Sequence, residues 1–474
     1  GAVTPLNHRL YVQPEGSTEV FVVDGGFADY LPFQYTRWRS PYLLDMDGLE
    51  FDRVRIRHKN NVTMFERGTN ARWRITQPPP PKRGNSEIIE RVVERFKKWQ
   101  VAGFVNDRKD TPLEKWGLEK PVVELNLSQG TNQLLSVEFG GSEQTVTNSV
   151  YARLPMNDDV VLADASPLIL LMQNYWSYCD HRMIDPFQEE QIDVIEVEGP
   201  ESFSLRRRTN GIWQAQNKQR TLIDPQLMRH FLETLDEMKA VKLEKQVVTD
   251  YKQYGLDKPW LAYRLFRSVT NATGQSTNVF VGGIEFGKAD VDTLFARRHD
   301  ENTVYVVALG QQRSLPQSLF QIRSRMLWSF LPKNAAGITV FNNVKTNHLV
   351  RRGGGTGARW GIRGTNGITD IDVFENEVTE EALHELSMLT AARWVSRGTN
   401  RFGPYKIGQH FGGLTIEMAT PPGQNHTVLF GIQPNLRNPY AAFRDPLVGE
   451  WVVFEFPASI YSKYILPYLS IKDQ

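Results

Sequence analysis

The sequence predicts an α+β protein of tandem modules, each about 140–150 residues long, with antiparallel hairpins forming a sheet and two helices. Three recurrences predict it. Trp73-Arg74-Ile75, Trp213-Gln214-Ala215 and Trp360-Gly361-Ile362 follow one another at 140 and 147 residues. An amphipathic stripe comes after each tryptophan. Two copies then share nearly the same hexapeptide, Trp116-Gly117-Leu118-Glu119-Lys120-Pro121 and Tyr254-Gly255-Leu256-Asp257-Lys258-Pro259.

The elements come in a fixed order. Strand-like runs (62–67, 203–208, 348–352) lead through the turn clusters Gly68-Thr69-Asn70, Thr209-Asn210-Gly211 or Gly353 to Gly357 into the tryptophan, a β-hairpin pattern. Ile89, Val92, Val93, Phe96 and Trp99 stand at helical spacing, as do Met228, Phe231, Leu232, Leu235 and Met238. Leu383, Leu386 and Leu389 form a weaker third stripe. Asp224 and Pro225 suit a helix start, as cap and first helical residue. Matching Val93, Leu232 and Leu386 gives spacings of 139 and 154, and the excess is assigned to an insertion around 365–375.

Behind each helix comes an alternating strand: Val123, Leu125, Leu127; Leu261, Tyr263, Leu265; Leu414, Ile416, Met418. The next strand ends in Phe139-Gly140-Gly141, Val281-Gly282-Gly283 or Phe430-Gly431. Tyr151-Ala152-Arg153 or Phe295-Ala296-Arg297, a valine-rich strand (160–163, 304–307, 451–454) and a closing helix complete the copy. Full modules therefore occupy residues 51–187, 188–335 and 336–474, the last divergent, with Phe402-Gly403-Pro404 in place of the hexapeptide. Tyr11-Val12-Gln13 and Val20–Val23 repeat 151–153 and 160–163 at an offset of 140, so residues 1–50 read as the C-terminal half of an upstream module. Val20–Val23 is then expected to present a sheet edge, covered by docking on the first full module, by an upstream fragment or by a second chain.

Composition bounds the function. Of 474 residues, 40% are hydrophobic, and 55 Lys+Arg against 54 Asp+Glu leave a net charge of +1. That excludes a disordered chain and argues against binding nucleic acid or a membrane surface through bulk charge. No apolar run approaches the roughly 20 residues needed to span a bilayer. The single cysteine, Cys179, excludes an intrachain disulfide and a paired-cysteine zinc site.

The order of hairpin, Trp-x-apolar, helix, Tyr254-to-Pro259 hexapeptide, Gly-Gly strand end, Tyr151-Ala152-Arg153 and Val304-Tyr305-Val306-Val307 resembles the bacterial repeat family catalogued as domain of unknown function 4340. The resemblance covers essentially the whole chain and is weakest in the third module. It implies extracytoplasmic, membrane-anchored α+β modules, often encoded beside ABC-transporter components of the gliding-motility auxiliary type. It carries no catalytic residues.

Residues that suggest chemistry each have a plainer reading. Gly353 to Gly357 lacks the Gly-Lys-Ser/Thr ending of a phosphate cradle and sits at a hairpin turn. Trp73, Trp213 and Trp360 could stack sugars, but strand alternation makes them core anchors beside the first helices. Tyr175, Trp176, Tyr178, Trp328 and Phe330 gather near module junctions, where they seal one module onto the next. His384-Glu385 lacks the second histidine of a helical zinc protease. Asp45, Asp47, Asp180 and Asp185 read as turn residues rather than a calcium site, and Cys179 as a buried thiol. Arg206-Arg207-Arg208 and Arg351-Arg352 read as solvated strand faces, and Pro78–Pro81 as a stiff polyproline connector. Asn-x-Ser/Thr sequons begin at Asn61, Asn126, Asn271 and Asn425.

The expectation is a non-enzymatic, extracytoplasmic scaffold or binding protein with no catalytic, cofactor or metal site. Its partners would be proteins of a membrane or surface complex, and a segment outside this chain would anchor it. Packing residues and turns are expected to persist between copies while polar residues vary freely, which favours a scaffold over a catalytic array. The alternatives are a hydrolase of surface polysaccharide with a site at a module junction, recognisable by paired carboxylates, and a subunit of a surface filament or layer.

Overall fold

The structure is a computed structural model and describes residues 9–26, 30–31, 38–106, 112–142, 148–156, 158–271, 274–353, 358–408, 411–434, 437–446 and 448–469. The chain forms two compact units, Gly1–His181 and Arg182–Gln474. In the first, β1 (Arg9–Val12) and β2 (Phe21–Asp24) pair as an antiparallel hairpin. A nine-stranded sheet follows among the described residues: β3 (Arg53–His58), β4 (Asn61–Arg67), β5 (Trp73–Gln77), β6 (Lys82–Arg83), β7 (Val101–Asn106), β8 (Val123–Gln129), β9 (Asn132–Ser142), β10 (Ser149–Leu154) and β11 (Asp159–Asp164). Their spatial order is β6-β5-β4-β3-β8-β9-β10-β11-β7, antiparallel throughout. Helix α1 (Ser86–Lys97) carries the chain from one edge to the other.

The second unit holds two further sheets. One contains β12 (Val194–Glu198), β13 (Phe203–Arg207), β14 (Trp213–Ala215), β15 (Ala240–Lys245), β16 (Leu261–Thr270), β17 (Ser276–Ala289), β18 (Thr293–Arg298) and β19 (Val304–Ala308), crossed by α2 (Pro225–Glu237). The other contains β20 (Ala335–Phe341), β21 (Thr346–Arg352), β22 (Arg359–Gly364), β23 (Gly367–Asp370), β24 (Arg393–Arg397), β25 (Gly413–Met418), β26 (His426–Phe430), β27 (Tyr440–Arg444) and β28 (Trp451–Glu455), crossed by α3 (Val373–Ser387). Their orders, β14-β13-β12-β16-β17-β18-β19-β15 and β23-β22-β21-β20-β25-β26-β27-β28-β24, repeat the first sheet strand for strand apart from the extra edge strands β6 and β23.

Each long helix starts where a side chain caps it: Asn85 accepts from the Ile88 N–H, Asp224 from Gln226 and Leu227, and Asp372 from Glu375. The apolar stripes then face the sheet. Ile89, Val92, Val93 and Phe96 align with Met228, Phe231, Leu232 and Leu235, and with Thr379, Ala382, Leu383 and Leu386. The partner of Val93 is therefore Leu383 rather than Leu386, because α3 begins inside the stretch read as an insertion and buries Thr379 and Ala382. Burying such side chains stabilises each module by about 1.5–3 kcal/mol apiece. Trp73, Trp213 and Trp360 are all buried beside these helices.

The closing stretch is shorter than expected. It is a single turn, Leu168–Leu171, in the first module and two short turns, Leu309–Arg313 and Leu319–Ile322, in the second. Only in the third does it run as one helical stretch, from Ala458 to Leu469. Strand accordingly outweighs helix, 41% to 21% of residues.

The opposite face of each sheet is covered by the loop that follows the edge strand (β7, β15 or β24) after the helix, a strand that the direct connection expected from helix to central strand leaves out. Gly117 and Gly255 take left-handed backbone angles (φ 66° and 67°). That conformation brings the carbonyls of Trp116 and Tyr254 onto Gly140 and Gly287, where a Cβ would lie 2.2 Å from the oxygen in both cases. The third module does the same with Tyr405-Lys406-Ile407: Lys406 has φ 51°, and a Cβ on Gly431 would lie 2.3 Å from the Tyr405 oxygen. Two readings are thereby corrected. Gly287, not the Gly282-Gly283 pair, matches Gly140, since β10 and β18 pair Ala152 with Phe139 and Ala296 with Phe286. The third module keeps the connection three residues beyond Phe402, with lysine forced into the glycine conformation.

Residues just ahead of each sheet seal its core. The N–H groups of Leu43, Met183 and Leu327 donate to the carbonyls of Trp99, Met238 and Leu389 at 2.7, 2.8 and 2.9 Å. Leu43, Leu44 and Met46 are buried in the first module, and Leu327 and Trp328 in the third. The β1–β2 hairpin keeps the first module's register, since Tyr11 faces Val22 as Tyr151 faces Leu162. Its Tyr11, Val12, Phe21 and Val22 are exposed.

Candidate binding cleft in the second unit

A cleft of about 230 Å³ opens inside the second unit, where α2 meets the segment leading into the third sheet. Its floor is apolar: Leu227 and Phe231 from α2, Leu315, Pro316 and Ile322 from the connecting turns, and Trp394 from β24. Its rim carries His230, Arg313, Arg325 and Arg393. The helical period puts Leu227, His230 and Phe231 on one edge of α2, beside the stripe that enters the core.

Arginines fix the geometry. Arg325 Nε and Nη2 donate to the two Asp224 carboxylate oxygens at 2.8 and 3.2 Å, Nη2 also to Gln226 Oε1 at 2.7 Å, and Nη1 to the Ala392 carbonyl at 3.2 Å. One guanidinium thus joins the cap of α2 to the residue before β24. Burial by itself would raise the Asp224 carboxyl, but Arg325 and the Leu227 and Gln226 N–H groups together hold it below the ordinary carboxylate range. Arg323 stacks on Trp394 (4.3 Å to the ring centre) and Phe320 (4.9 Å), and its Nη1 donates to Asp445 at 2.6 Å. Burial lowers the Arg323 pKa more than Asp445 raises it. Arg393 pairs with Glu455, which raises its pKa, and Arg397 pairs with Glu201 at 2.8 Å. Among the described residues Arg313 has no ion-pair partner, so it is the cation free to meet a ligand.

The lining suits binding better than bond making. The carboxylates bordering the cleft, Asp224 and Glu455, are each tied to an arginine. Ser314 Oγ donates to the Gly310 carbonyl rather than to His230. An apolar floor under a cationic rim fits an acidic group carried on an apolar chain.

A polar constellation also recurs, contrary to the expectation that polar residues vary freely between copies. Trp73 Nε1 donates to Glu90 (2.7 Å), which also accepts from Arg67, whose guanidinium lies 4.7 Å from the tryptophan ring. Trp360 Nε1 donates to Glu380 (2.8 Å), which binds Arg351 through Nε and Nη2. In each sheet the arginine sits directly across from the tryptophan, as Arg207 does from Trp213. The second module breaks the set: the helix position of Glu90 and Glu380 is Arg229, and the buried Trp213 Nε1 has no partner. A register-paired arginine and a helical glutamate, 23 residues apart in one copy and 29 in another, are too loosely spaced to stand out in sequence.

The other sequence candidates are dispersed. Tyr178 and Cys179 lie in the first core, and Trp328 in the third. Trp328 and Phe330 sandwich His426, with ring centres 4.8 and 5.2 Å away, and burial lowers the His426 pKa. His384 and Glu385 are exposed on α3, and Asp45 and Asp47 are exposed in a turn. Among the described residues no three His, Cys, Asp or Glu side chains converge as metal ligands. Arg351 is not a solvated face residue, since its side chain is only 8% exposed against Glu380. The Pro78–Pro81 segment is not an extended connector, because Lys82 Nζ folds back onto the Pro78 and Pro80 carbonyls at 2.7 and 2.6 Å. Residues 354–357 of the glycine run lie outside the described residues.

One family model, described as Domain of unknown function (DUF4340), matches the chain at residues 1–112, 73–259 and 213–409. No curated protein matches, and no solved structure matches.

Proposed function

The chain belongs to the DUF4340 family, and we propose that it is a non-enzymatic, extracytoplasmic scaffold whose modules bind protein partners of a membrane or surface complex. The observation that supports this reading is the arginine-rimmed cleft of the second unit. Its two bordering carboxylates are consumed in ion pairs. Asp224, held ionised, is the opposite of the raised-pKa acid that glycoside hydrolysis needs. Arg313, exposed at the rim, offers a cation to an acidic partner segment whose apolar side chains reach the floor.

Photo-crosslinking from position 314 on the full chain, in membranes of its host, tests this. The expected product is a protein captured through a segment that combines acidic and apolar residues. Arg313→Glu should lower that affinity by about tenfold, the size of one rim charge contact. Capture that survives charge reversal, or turnover of a polysaccharide by the purified chain, would overturn the reading.

A further inference from the structure

A groove in the first module has a different chemistry. It measures about 580 Å³ and lies between the β3–β4 turn, the proline segment and the turn at 171–175. Its polar lining is His58, Asn60, Asn61, Thr63, Gln77 and the pair Gln173-Asn174. Among the described residues none of the lining is Asp, Glu, Lys or Arg, in a chain of which 23% is charged.

Strand alternation explains how the groove arises. Phe65, Thr63 and Asn61 share one face of β4, and Ile56 and His58 share the same face of β3, where Ile56 pairs with Thr63 and His58 with Asn61. That face is core at Phe65 and Ile56 and turns polar toward the groove. Packing does not require a polar residue here: the second module has Phe203 opposite Val197, although the third has Asn347 opposite Val340, where the first has Thr63 opposite Ile56. Turn geometry accounts for Asn60, which follows Lys59 at φ 54°, but not for Asn61, Thr63 and Gln77 in the strands.

The polar groups are also uncommitted. Among the described residues the side chains of His58, Asn60, Asn61, Thr63 and Gln77 have no hydrogen-bond partner. On the facing wall Asn174 Oδ1 accepts from the Trp176 N–H and Gln173 Oε1 from Ser177, which leaves both amide NH₂ groups as donors. Tyr175, with Lys82 Nζ 5.1 Å from its ring centre, joins Pro78, Pro79 and Met172 as the apolar surface.

We propose that this groove binds a neutral oligosaccharide. Sugar hydroxyls both donate and accept, and planar amides match them in fixed geometry without the desolvation cost of burying a charge. Proline and tyrosine carbons meet the C–H faces of the pyranose rings. The volume lies within the range of small-ligand sites.

The test is isothermal titration of the full chain with four neutral tetrasaccharides: cellotetraose, maltotetraose, mannotetraose and N-acetylated chitotetraose. A sulfated tetrasaccharide serves as the charged comparison. At least one neutral sugar should bind with a Kd of about a millimolar or tighter. Gln77→Ala and Thr63→Phe, the latter importing the second module's own residue, should each weaken binding by about tenfold or more. Both variants should melt with the parent, which separates loss of the site from loss of the fold. Failure of all four sugars to bind, equal or better binding of the sulfated one, or binding untouched by both substitutions would each overturn the proposal. None of these outcomes bears on the arginine-rimmed cleft.

Discussion

Arg229→Glu should stabilise the protein, although it replaces one exposed charge by another. The first and third modules seat a glutamate at this helix position, where it accepts from a buried tryptophan N–H and pairs with the arginine across from it. The second keeps Trp213, 4% exposed, and Arg207 but has an exposed Arg229 at that helix position, and the Nε1 proton is buried without an acceptor. Leaving such a group unsatisfied costs about 1–3 kcal/mol. Trading a like-charge neighbour for an ion pair at a partly exposed site adds about 0.2–1 kcal/mol. Arginine and glutamate have nearly equal helix propensity, so the backbone contributes nothing. Ordering the new side chain takes back up to about 1 kcal/mol, for a net gain of about 1–3 kcal/mol. In thermal and urea unfolding followed by tryptophan fluorescence, the second unit's midpoint should rise by about 2–6 °C. The reverse change, Glu90→Arg, should lower the first unit's stability by a similar amount. If Arg229→Glu leaves the midpoint unchanged while Glu90→Arg lowers it, Trp213 Nε1 has another acceptor and the triad does not explain the second module.

Two further outcomes follow from the packing. Gly140→Ala, Gly287→Ala and Gly431→Ala should each cost about 2–3 kcal/mol in urea titrations, because the new methyl meets a backbone carbonyl that cannot move without the loop; Gly103→Ala, whose Cβ would find its nearest atom at 3.9 Å, is the neutral control. His426, whose pKa is lowered by burial between Trp328 and Phe330, binds a proton more readily unfolded than folded, so its contribution is full above about pH 6.5 and is lost as pH falls from there through the folded value. Stability of the second unit should therefore decline on mild acidification, and His426→Phe should remove that part of the slope; an unchanged slope would refute it.

How far the sequence could be read follows from which contacts are local. The tryptophans, the Asp224-Pro225 helix start and the first two hexapeptide loops are written in residues at most a few turns apart, and they landed where the spacing put them. The strand end misled because β16 and β17 extend their hairpin: Gly287 follows Tyr254 by 33 residues, whereas Gly140 follows Trp116 by 24, and Gly282-Gly283 sits nearer the expected count. The third helix misled because threonine and alanine fill core positions that the other copies give to larger side chains. The cleft had no sequence signature at all. Arg325 meets Asp224 across 101 residues and Arg323 meets Asp445 across 122, distances at which no pattern of spacing operates.

The departures from the repeat are more informative than the repeat itself. The shared features are satisfied by packing alone, so wherever a copy abandons one at a cost, something besides packing must favour the change. The second module abandons the glutamate that satisfies its buried tryptophan and places Arg229 next to His230, which lines the cleft beside Arg313, Arg325 and Arg393. A glutamate there would put an additional negative charge one residue from a rim whose two neighbouring carboxylates are already paired with arginines. The first module has Thr63 opposite Ile56, as the third has Asn347 opposite Val340, and lines its groove with uncommitted amides. The change at Arg229 leaves the Trp213 N–H unpaired, and it falls at the margin of the cleft. Random drift would scatter such losses over the surface, whereas selection for binding concentrates them where a ligand supplies the missing contacts.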